Sequence, residues 1–168
     1  EHLTPIHRLD RETAGVVLIS KYVESRGLYQ QMFATRQVQK TYHAIAAYKA
    51  DLEFPLITRL RMEKGQPFYT MQVVNGEANS ETAIQLLEHN KEWAKYELKP
   101  HTGKQHQLRV HLNHLGIPIQ NDPFYPRIAH KAEDDFSAPL SLLAQHIQFI
   151  DPITQKSMNF SSRLELTL

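Results

Sequence analysis

The chain contains no cysteine, and this absence excludes disulfides, thiolate catalysis and zinc sites built on cysteine ligands. It also lacks a long apolar run. The longest, "GVVLI" at 15–19, is far shorter than the ~20 residues that a transmembrane helix needs. We therefore expect a cytoplasmic protein without a membrane partner. The 168 residues suit one globular domain spanning 1–168.

The sequence also lacks a strong excess of one charge, because its formal net charge is only +1 with neutral histidines. A domain that is basic throughout is therefore excluded, and any surface that binds RNA or DNA must be local. Three signatures are missing as well. Without G-x-S-x-G there is no nucleophile elbow, and without a P-loop or G-x-G-x-x-G there is no sign of a nucleotide cofactor.

The hydrophobic pattern predicts an α+β fold, with a mixed, largely antiparallel sheet and few helices. Short turns between closely spaced strands favour an antiparallel meander. A helix is predicted over 22–35, with Ser20 as its N-cap. An irregular loop is predicted over 125–139. The predicted strands cover 15–20, 39–48, 68–74, 81–89, 93–100, 140–150 and 158–166.

A second helix is predicted within "HTGKQHQLRVHLNHLGIP". Thr102 and Gln105 have the spacing of a capping box, and Gly116 stands where a left-handed residue ends a helix. Apolar residues at i, i+4 and i+7 predict the face that packs on the core. These residues are Leu108, Leu112 and Leu115.

Arg109 lies beside this apolar stripe and therefore needs a partner, because an unpaired buried charge is costly. Arginine can grip a carboxylate with two parallel hydrogen bonds. Spacing alone leaves open whether Arg109 forms a plain ion pair, reaches solvent, or serves a site. Asp10 is open in the same way. It is either a turn residue before a strand or a nucleophile or base held in a cleft against a cation.

Tyr42 lies on a predicted strand, with Ala44 and Ala46 on the same face. Two small side chains leave room beside Tyr42 for a flat ligand. A tyrosine in the core is the other interpretation.

Four histidines lie close together at 101, 106, 111 and 114. His111 and His114 are three residues apart on the predicted helix and could share a metal. The helix offers no carboxylate to join them. We therefore favour solvated or RNA-facing histidines over the site of a metal-dependent hydrolase.

Three ordered blocks resemble the motifs of the RluA-type pseudouridine synthases. "HRLDRETAGVVLIS" (7–20) resembles the family's H-R-L-D-x-x-T-S-G motif, and "QKTYHAIA" (39–46) resembles its K-x-Y-x-A strand. "HTGKQHQLRVHLNHLGIPIQNDPFYP" (101–126) resembles its T-G-R-x-H-Q block. "LLAQHIQFIDP" (142–152) is a fainter match to the closing motif.

This resemblance implies an α+β pseudouridine synthase catalytic domain that isomerises uridines in rRNA or tRNA to pseudouridine, without cofactor or metal. Asp10 would be the catalytic aspartate and Arg109 its partner. Tyr42 would pack on the target uracil and act as acid or base. Arg8 would lie beside the flipped nucleotide. The residues expected to bind RNA are Arg8, Arg11, Lys40, Lys104, His106 and Gln107.

The chain departs from the family pattern at four positions: Ala14 for Ser, Lys104 for Arg, Asn121 for Gly and Leu143 for His. Lys104 keeps the charge but loses bidentate geometry. Only six residues precede "HRLD", so we expect a catalytic domain that is incomplete at its N-terminus. A non-catalytic RNA-binding fragment of such an enzyme is the alternative hypothesis.

Overall fold

A computed structural model describes residues 2–168. The helices are α1 (Val23–Ala34) and α2 (Gln107–His114). None of the described helices is long and apolar enough to cross a membrane. The strands are β1 (Thr4–Pro5), β2 (Ala14–Gly15), β3 (Ile19–Ser20), β4 (Gln39–Ala47), β5 (Leu56–Lys64), β6 (Met71–Val74), β7 (Ser80–His89), β8 (Trp93–Pro100), β9 (Leu142–Ile150) and β10 (Ser157–Ser161).

The main sheet has the strand order β10-β9-β4-β8-β7-β5-β6, with β2 added beside β9. The pairing of β2 with β9 is parallel, and the other pairings in this sheet are antiparallel. β1 and β3 form a separate antiparallel pair. The structure therefore confirms the predicted α+β class and its mixed, largely antiparallel sheet.

The single strand predicted over 15–20 is wrong. The segment forms two short strands, β2 and β3, that pair with different partners. Its apolar side chains are not mostly buried, because Val17 is 38% exposed and Ile19 is 55% exposed. β5 has no counterpart among the predicted strands. Arg59 and Arg61 interrupt its apolar pattern, although Met62 is buried.

Gly15 fixes the "HRLD" segment against β9. Its φ of +120° suits glycine, and a Cβ at this position would overlap the carbonyl oxygen of Ala144. The next residue, Val16, donates its N–H to that oxygen at 3.0 Å. Only a glycine lets the two backbones approach so closely, and the loop carrying Asp10 is thereby held at the sheet.

Helix α2 begins at Gln107, so the predicted capping box is wrong. His106 precedes the helix with a left-handed φ of 53°. The Thr102 hydroxyl accepts the N–H of Glu81 and donates to the Gln107 side chain, so Thr102 ties the preceding loop to β7. Ser20 likewise does not cap α1, because its hydroxyl donates to the carbonyl of Tyr22.

The predicted end of α2 is confirmed. Gly116 has a φ of +78°, and its N–H donates to Asn113 while Ile117 donates to Leu112. These two bonds are the Schellman pattern, which satisfies carbonyls that the helix end leaves free.

The largest apolar cluster lies between α2 and the central strands β4, β7 and β8. Leu108 and Leu112 of the predicted stripe are buried in it, and Leu115 packs against it. Every residue from Gln107 to Leu112 is buried, so α2 is an internal helix rather than a surface one. A smaller cluster joins α1 to β9 through Met32, Ile147 and Phe149.

Replacement of Leu112 tests this core. Leu112 is 0% exposed, so Leu112→Ala should lower the free energy of unfolding by about 2–5 kcal/mol through lost burial and a cavity. Leu87→Ala removes the same atoms from a side chain that is 45% exposed, and should cost less than about 1 kcal/mol. Urea denaturation measures both changes. Equal losses would contradict the assigned core.

Candidate active site

The guanidinium of Arg109 is the centre of the site, and its residue is only 4% exposed. Its Nε donates to Asp122 Oδ2 at 2.8 Å, and its Nη2 donates to Asp122 Oδ1 at 2.7 Å. Asp122 Oδ1 also accepts the backbone N–H groups of Phe124 and Tyr125. The guanidinium carbon lies 4.9 Å from the Phe124 ring centre and 5.4 Å from that of Tyr125. The cation is thus fixed in orientation by two hydrogen bonds and two aromatic rings.

Asp10 is the second carboxylate on this cation. Arg109 donates from Nη1 to Asp10 Oδ2 at 3.2 Å, and the Asp10 side chain remains 22% exposed. Burial opposes the charged form of Arg109, but the hydrogen bonds and charge of Asp122, with those of Asp10, outweigh it and raise the pKa of Arg109. Arg109 therefore has the carboxylate that its position in the sequence demanded, but the bidentate partner is Asp122. Asp122 was missed as a site residue, although it stands in the matched block at 101–126.

A cavity of about 330 Å³ opens beside these groups. Asp10, Tyr42 and Arg109 all line it, although they come from a loop, β4 and α2. Tyr42 lies at a break in the register of β4 with β9, between Thr41 and Tyr42. Burial, together with the negative charge of Asp10, raises the pKa of Tyr42 to about 12. The phenol therefore keeps its proton near neutral pH.

The room for a flat ligand that was predicted above Ala44 and Ala46, beside Tyr42, is not present there. Ala44 and Ala46 are both 0% exposed and belong to the core cluster under α2. The space above these small residues is filled by the core, so the cavity lies only at the end of the row occupied by Tyr42.

Five of the six residues expected to bind RNA line this cavity. They are Arg8, Lys40, Lys104, His106 and Gln107. Arg11 does not; it lines a neighbouring cavity, and its guanidinium lies over the ring of Phe136. The Gln107 side chain is committed within the chain, because it bonds to Glu81, Thr82, Thr102 and Lys104. Its direct role is to hold the loop before α2.

Three cations around the cavity have no carboxylate within ion-pair distance among residues 2–168: Arg8, Lys40 and Lys104. Lys40 is half-buried, and burial lowers its pKa. Because a partly buried cation without a counter-ion is unfavourable, this rim suits an anionic ligand.

His106 is buried at the cavity wall. Its Nδ1 lies 2.8 Å from the hydroxyl of Tyr125, which accepts the N–H of Met71. The Tyr125 hydroxyl thus links the His106 ring to the backbone of β6. Burial, reinforced by the charge of Arg109, lowers the pKa of His106.

The other three histidines of the group, His101, His111 and His114, lie in different surroundings and do not form one cluster. His111 is 0% exposed, with Nε2 at 2.8 Å from the Ser80 hydroxyl, so its expected solvent- or RNA-facing position is wrong. His114 is exposed, and His101 contacts Glu81 at 2.6 Å. Within the part of the chain that the structure describes, no three His, Asp or Glu side chains are grouped to hold a metal ion.

The cavity combines a carboxylate–guanidinium pair, a partly buried tyrosine and a rim of cations that have no carboxylate partner among residues 2–168. Comparison with known proteins identifies the family to which a chain with this fold and this cavity belongs. The family described as RNA pseudouridylate synthase matches residues 1–114. The chain therefore belongs to the RNA pseudouridylate synthase family.

Curated relatives extend the likeness over nearly the whole chain. A protein of Vibrio vulnificus named tRNA pseudouridine synthase C is 31% identical over 94% of this chain and 71% of its own length. The dual-specificity RNA pseudouridine synthase RluA of Pasteurella multocida is 32% identical over 94% of this chain and 72% of its own length. The ribosomal large subunit pseudouridine synthase C of Vibrio cholerae is 30% identical, with 97% of this chain but only 52% of its own length covered. The chain thus spans about half of some relatives and under three quarters of the others.

Two solved human structures share the fold. RNA Pseudouridylate Synthase Domain Containing 1 has a TM-score of 0.79 at 23% identity, covering 96% of this chain and 69% of that one. RNA Pseudouridylate Synthase Domain Containing 4 has a TM-score of 0.74 at 27% identity, covering 98% and 72%. The predicted pseudouridine synthase fold is therefore confirmed.

The two carboxylates should differ in their effect on stability. The side chain of Asp122 is 1% exposed and makes two bonds to Arg109, so Asp122→Asn should cost about 3–5 kcal/mol of unfolding free energy. Asp10→Asn should cost less, because Asp10 makes one longer bond and is 22% exposed. Urea denaturation at neutral pH compares them. The reverse order would show that Asp10 anchors the cation.

Stability should also fall as the pH drops below neutrality. Burial lowers the pKa of His111 to about 4, from 6.5, so the unfolded chain binds a proton more readily within this interval. The stabilisation is full above pH 6.5 and is lost toward pH 4, and His111 alone should account for about 2 kcal/mol between pH 7 and 4.5. His111→Gln should flatten this dependence by that amount. The matched variant of an exposed histidine that does not act on His111, His130→Gln, should keep the wild-type slope in urea unfolding from pH 7 to 4.5.

Proposed function

We propose that the chain isomerises specific uridines in structured RNA, either rRNA or tRNA, to pseudouridine. One observation carries the proposal. The partly exposed carboxylate of Asp10 lies 3.2 Å from the buried guanidinium of Arg109, at a cavity that Tyr42 also lines. Family membership supports the reaction class. The proposed substrates follow the names of the relatives, which specify tRNA, the ribosomal large subunit or a dual specificity.

The chemistry suits these side chains. The N1–C1′ bond of uridine breaks and a C5–C1′ bond forms, N1 takes up a proton and C5 gives one up. The reaction is neither redox nor hydrolysis, so its atoms balance without a co-reactant. A carboxylate begins it either by attacking the uracil ring or by acting on the ribose. In both routes Asp10 is the reactive group, and Arg109 orients it as a preorganised cation.

The target base must leave its stack to reach Asp10. A cavity of about 330 Å³ lies at the lower end of the range of small-molecule sites, and this volume favours one extruded nucleotide over a base pair. Packing of uracil on Tyr42 would contribute roughly 1–3 kcal/mol, which offsets part of the cost of unstacking.

In this scheme the ring of Tyr42 packs on the uracil, and its phenol is protonated. Its pKa of about 12 disfavours a phenolate base in the free protein near neutral pH. The base that removes the C5 proton is therefore either another group or a Tyr42 whose surroundings change when RNA binds.

Arg8, Lys40 and Lys104, which have no carboxylate partner among the described residues, would take the phosphates that flank the extruded nucleotide. Their position at one cavity reconciles RNA binding with a net charge of only +1. Arg11, on the neighbouring cavity, is left for a more distant phosphate. The cytoplasmic location, the single catalytic domain and the absence of a cofactor stay predictions.

The decisive experiment replaces Asp10. RNA labelled with tritium at C5 of uridine releases that tritium when the C5–C1′ bond forms, so release from tRNA and rRNA transcripts measures isomerisation. Asp10→Asn should reduce the rate on the order of 10³-fold or more, while RNA affinity stays within about threefold.

Asp51→Asn is the matched control, because its side chain is 72% exposed and lies outside the cavity. It should release tritium at the wild-type rate. Wild-type activity in Asp10→Asn would refute the catalytic assignment. RNA binding without release by the wild-type chain would leave the non-catalytic RNA-binding alternative.

A further inference from the structure

A second cavity, of about 600 Å³, continues from the active cavity along β4 and the end of β8. The two cavities share Lys40, Pro100, Thr102 and Gly103 in their linings. We call the second cavity the basic groove, because its lining includes five residues with basic side chains and no Asp or Glu. The basic residues are Arg36, Lys40, Lys99, His101 and His146.

Two of these cations have no carboxylate partner among residues 2–168. Arg36 is exposed just beyond the end of α1, and Lys40 is half-buried at the boundary with the active cavity. Lys99 and His101 do have partners, Glu97 and Glu81. Those carboxylates do not line the groove, so its surface presents positive charge without an opposing acid.

We propose that the basic groove binds the phosphates of the RNA strand that continues from the extruded uridine. This inference rests on the proposed function, because that function places a nucleotide in the adjoining cavity. A strand that passes from one cavity to the other meets Lys40 first and Arg36 beyond it. Continuity with the uridine cavity favours a nucleic-acid strand over an acidic protein segment.

Gly103 is the open point between the two cavities. A Cβ at this position would meet no atom within 4 Å, and its φ lies outside the left-handed range. A side chain there would project into the proposed path of the strand without disturbing the fold. The position therefore admits a charge at the junction as a probe.

The first test removes one cation. A twelve-nucleotide oligouridine, labelled for fluorescence anisotropy, should bind Arg36→Gln about 3- to 10-fold more weakly than wild type at 0.1 M salt. The slope of log affinity against log salt should fall by roughly 0.7, the value for one phosphate contact on a single strand. Lys91→Gln is the control. Lys91 is exposed in the turn before β8, roughly 25 Å from Lys99 at the rise of a strand, and this variant should match wild type.

The second test adds an acid. Gly103→Glu should weaken oligouridine binding at least tenfold, whereas the uncharged isostere Gly103→Gln should weaken it less than threefold. Gly27→Glu puts the same charge on α1, at a position equally free of neighbours, and should leave the affinity unchanged. Equal losses in Gly103→Glu and Gly103→Gln would mean that bulk rather than charge matters, and would overturn the proposal.

The outcomes separate the two proposals. If wild type releases tritium but Arg36→Gln binds oligouridine with wild-type affinity and salt slope, the groove proposal fails and the function stands. If wild type releases none while Arg36→Gln still weakens binding, the groove stands and catalysis fails. Tighter binding of a twelve-residue polyglutamate than of the oligouridine would assign the groove to an acidic protein and overturn the proposal.

Discussion

The bidentate ion pair between Arg109 and Asp122 is the interaction on which the site depends. It joins helix α2 to the loop between α2 and β9. The pair is almost shielded from solvent, since the two side chains are 4% and 1% exposed. Such a pair is costly to desolvate and costly to break by removing one partner. Asp122 also accepts two backbone N–H groups, so the carboxylate shapes its own loop as well as holding the cation.

Asp10 reaches this cation from a different part of the chain, and its position depends on the backbone rather than on side-chain packing. Gly15 brings the loop against Ala144 of β9, and Thr13 closes a turn onto the carbonyl of Asp10. Because Asp122 already orients the guanidinium, Asp10 needs only one hydrogen bond and keeps an exposed face. The carboxylate that holds the cation in place, Asp122, and the one proposed to react, Asp10, are therefore separate residues on one cation.

The sequence predicts the parts of this arrangement that are local. The apolar stripe of α2 predicts that Arg109 lies beside the core and needs a carboxylate partner. The alternation of side chains along 39–48 predicts β4 and places Tyr42 on it. Asp122 could not be identified as the main partner, because two acids compete for one arginine and only their three-dimensional positions rank them. The start of α2 was misjudged because Thr102 bonds to β7, a contact that is distant in sequence. β5 was not predicted because its charged residues interrupt the alternation of apolar and polar residues that is typical of a strand. Its pairing with β6 and β7, which the sequence does not show, stabilises it.

The charges of Arg109, Asp10 and Asp122 would act differently on the phosphate and on the base of a nucleotide. Arg109 contributes one positive formal charge, and Asp10 and Asp122 one negative charge each, so this trio has a net charge of −1. Of the two carboxylates only Asp10 lines the cavity, and a phosphate next to it would be disfavoured, whereas an uncharged heterocycle would not. Arg8, Lys40 and Lys104, which find no carboxylate partner within residues 2–168, line the same cavity as Asp10. In the proposed function, this arrangement of charges would favour a nucleoside unit with its ring inward and its backbone outward, before any base-specific contact is made.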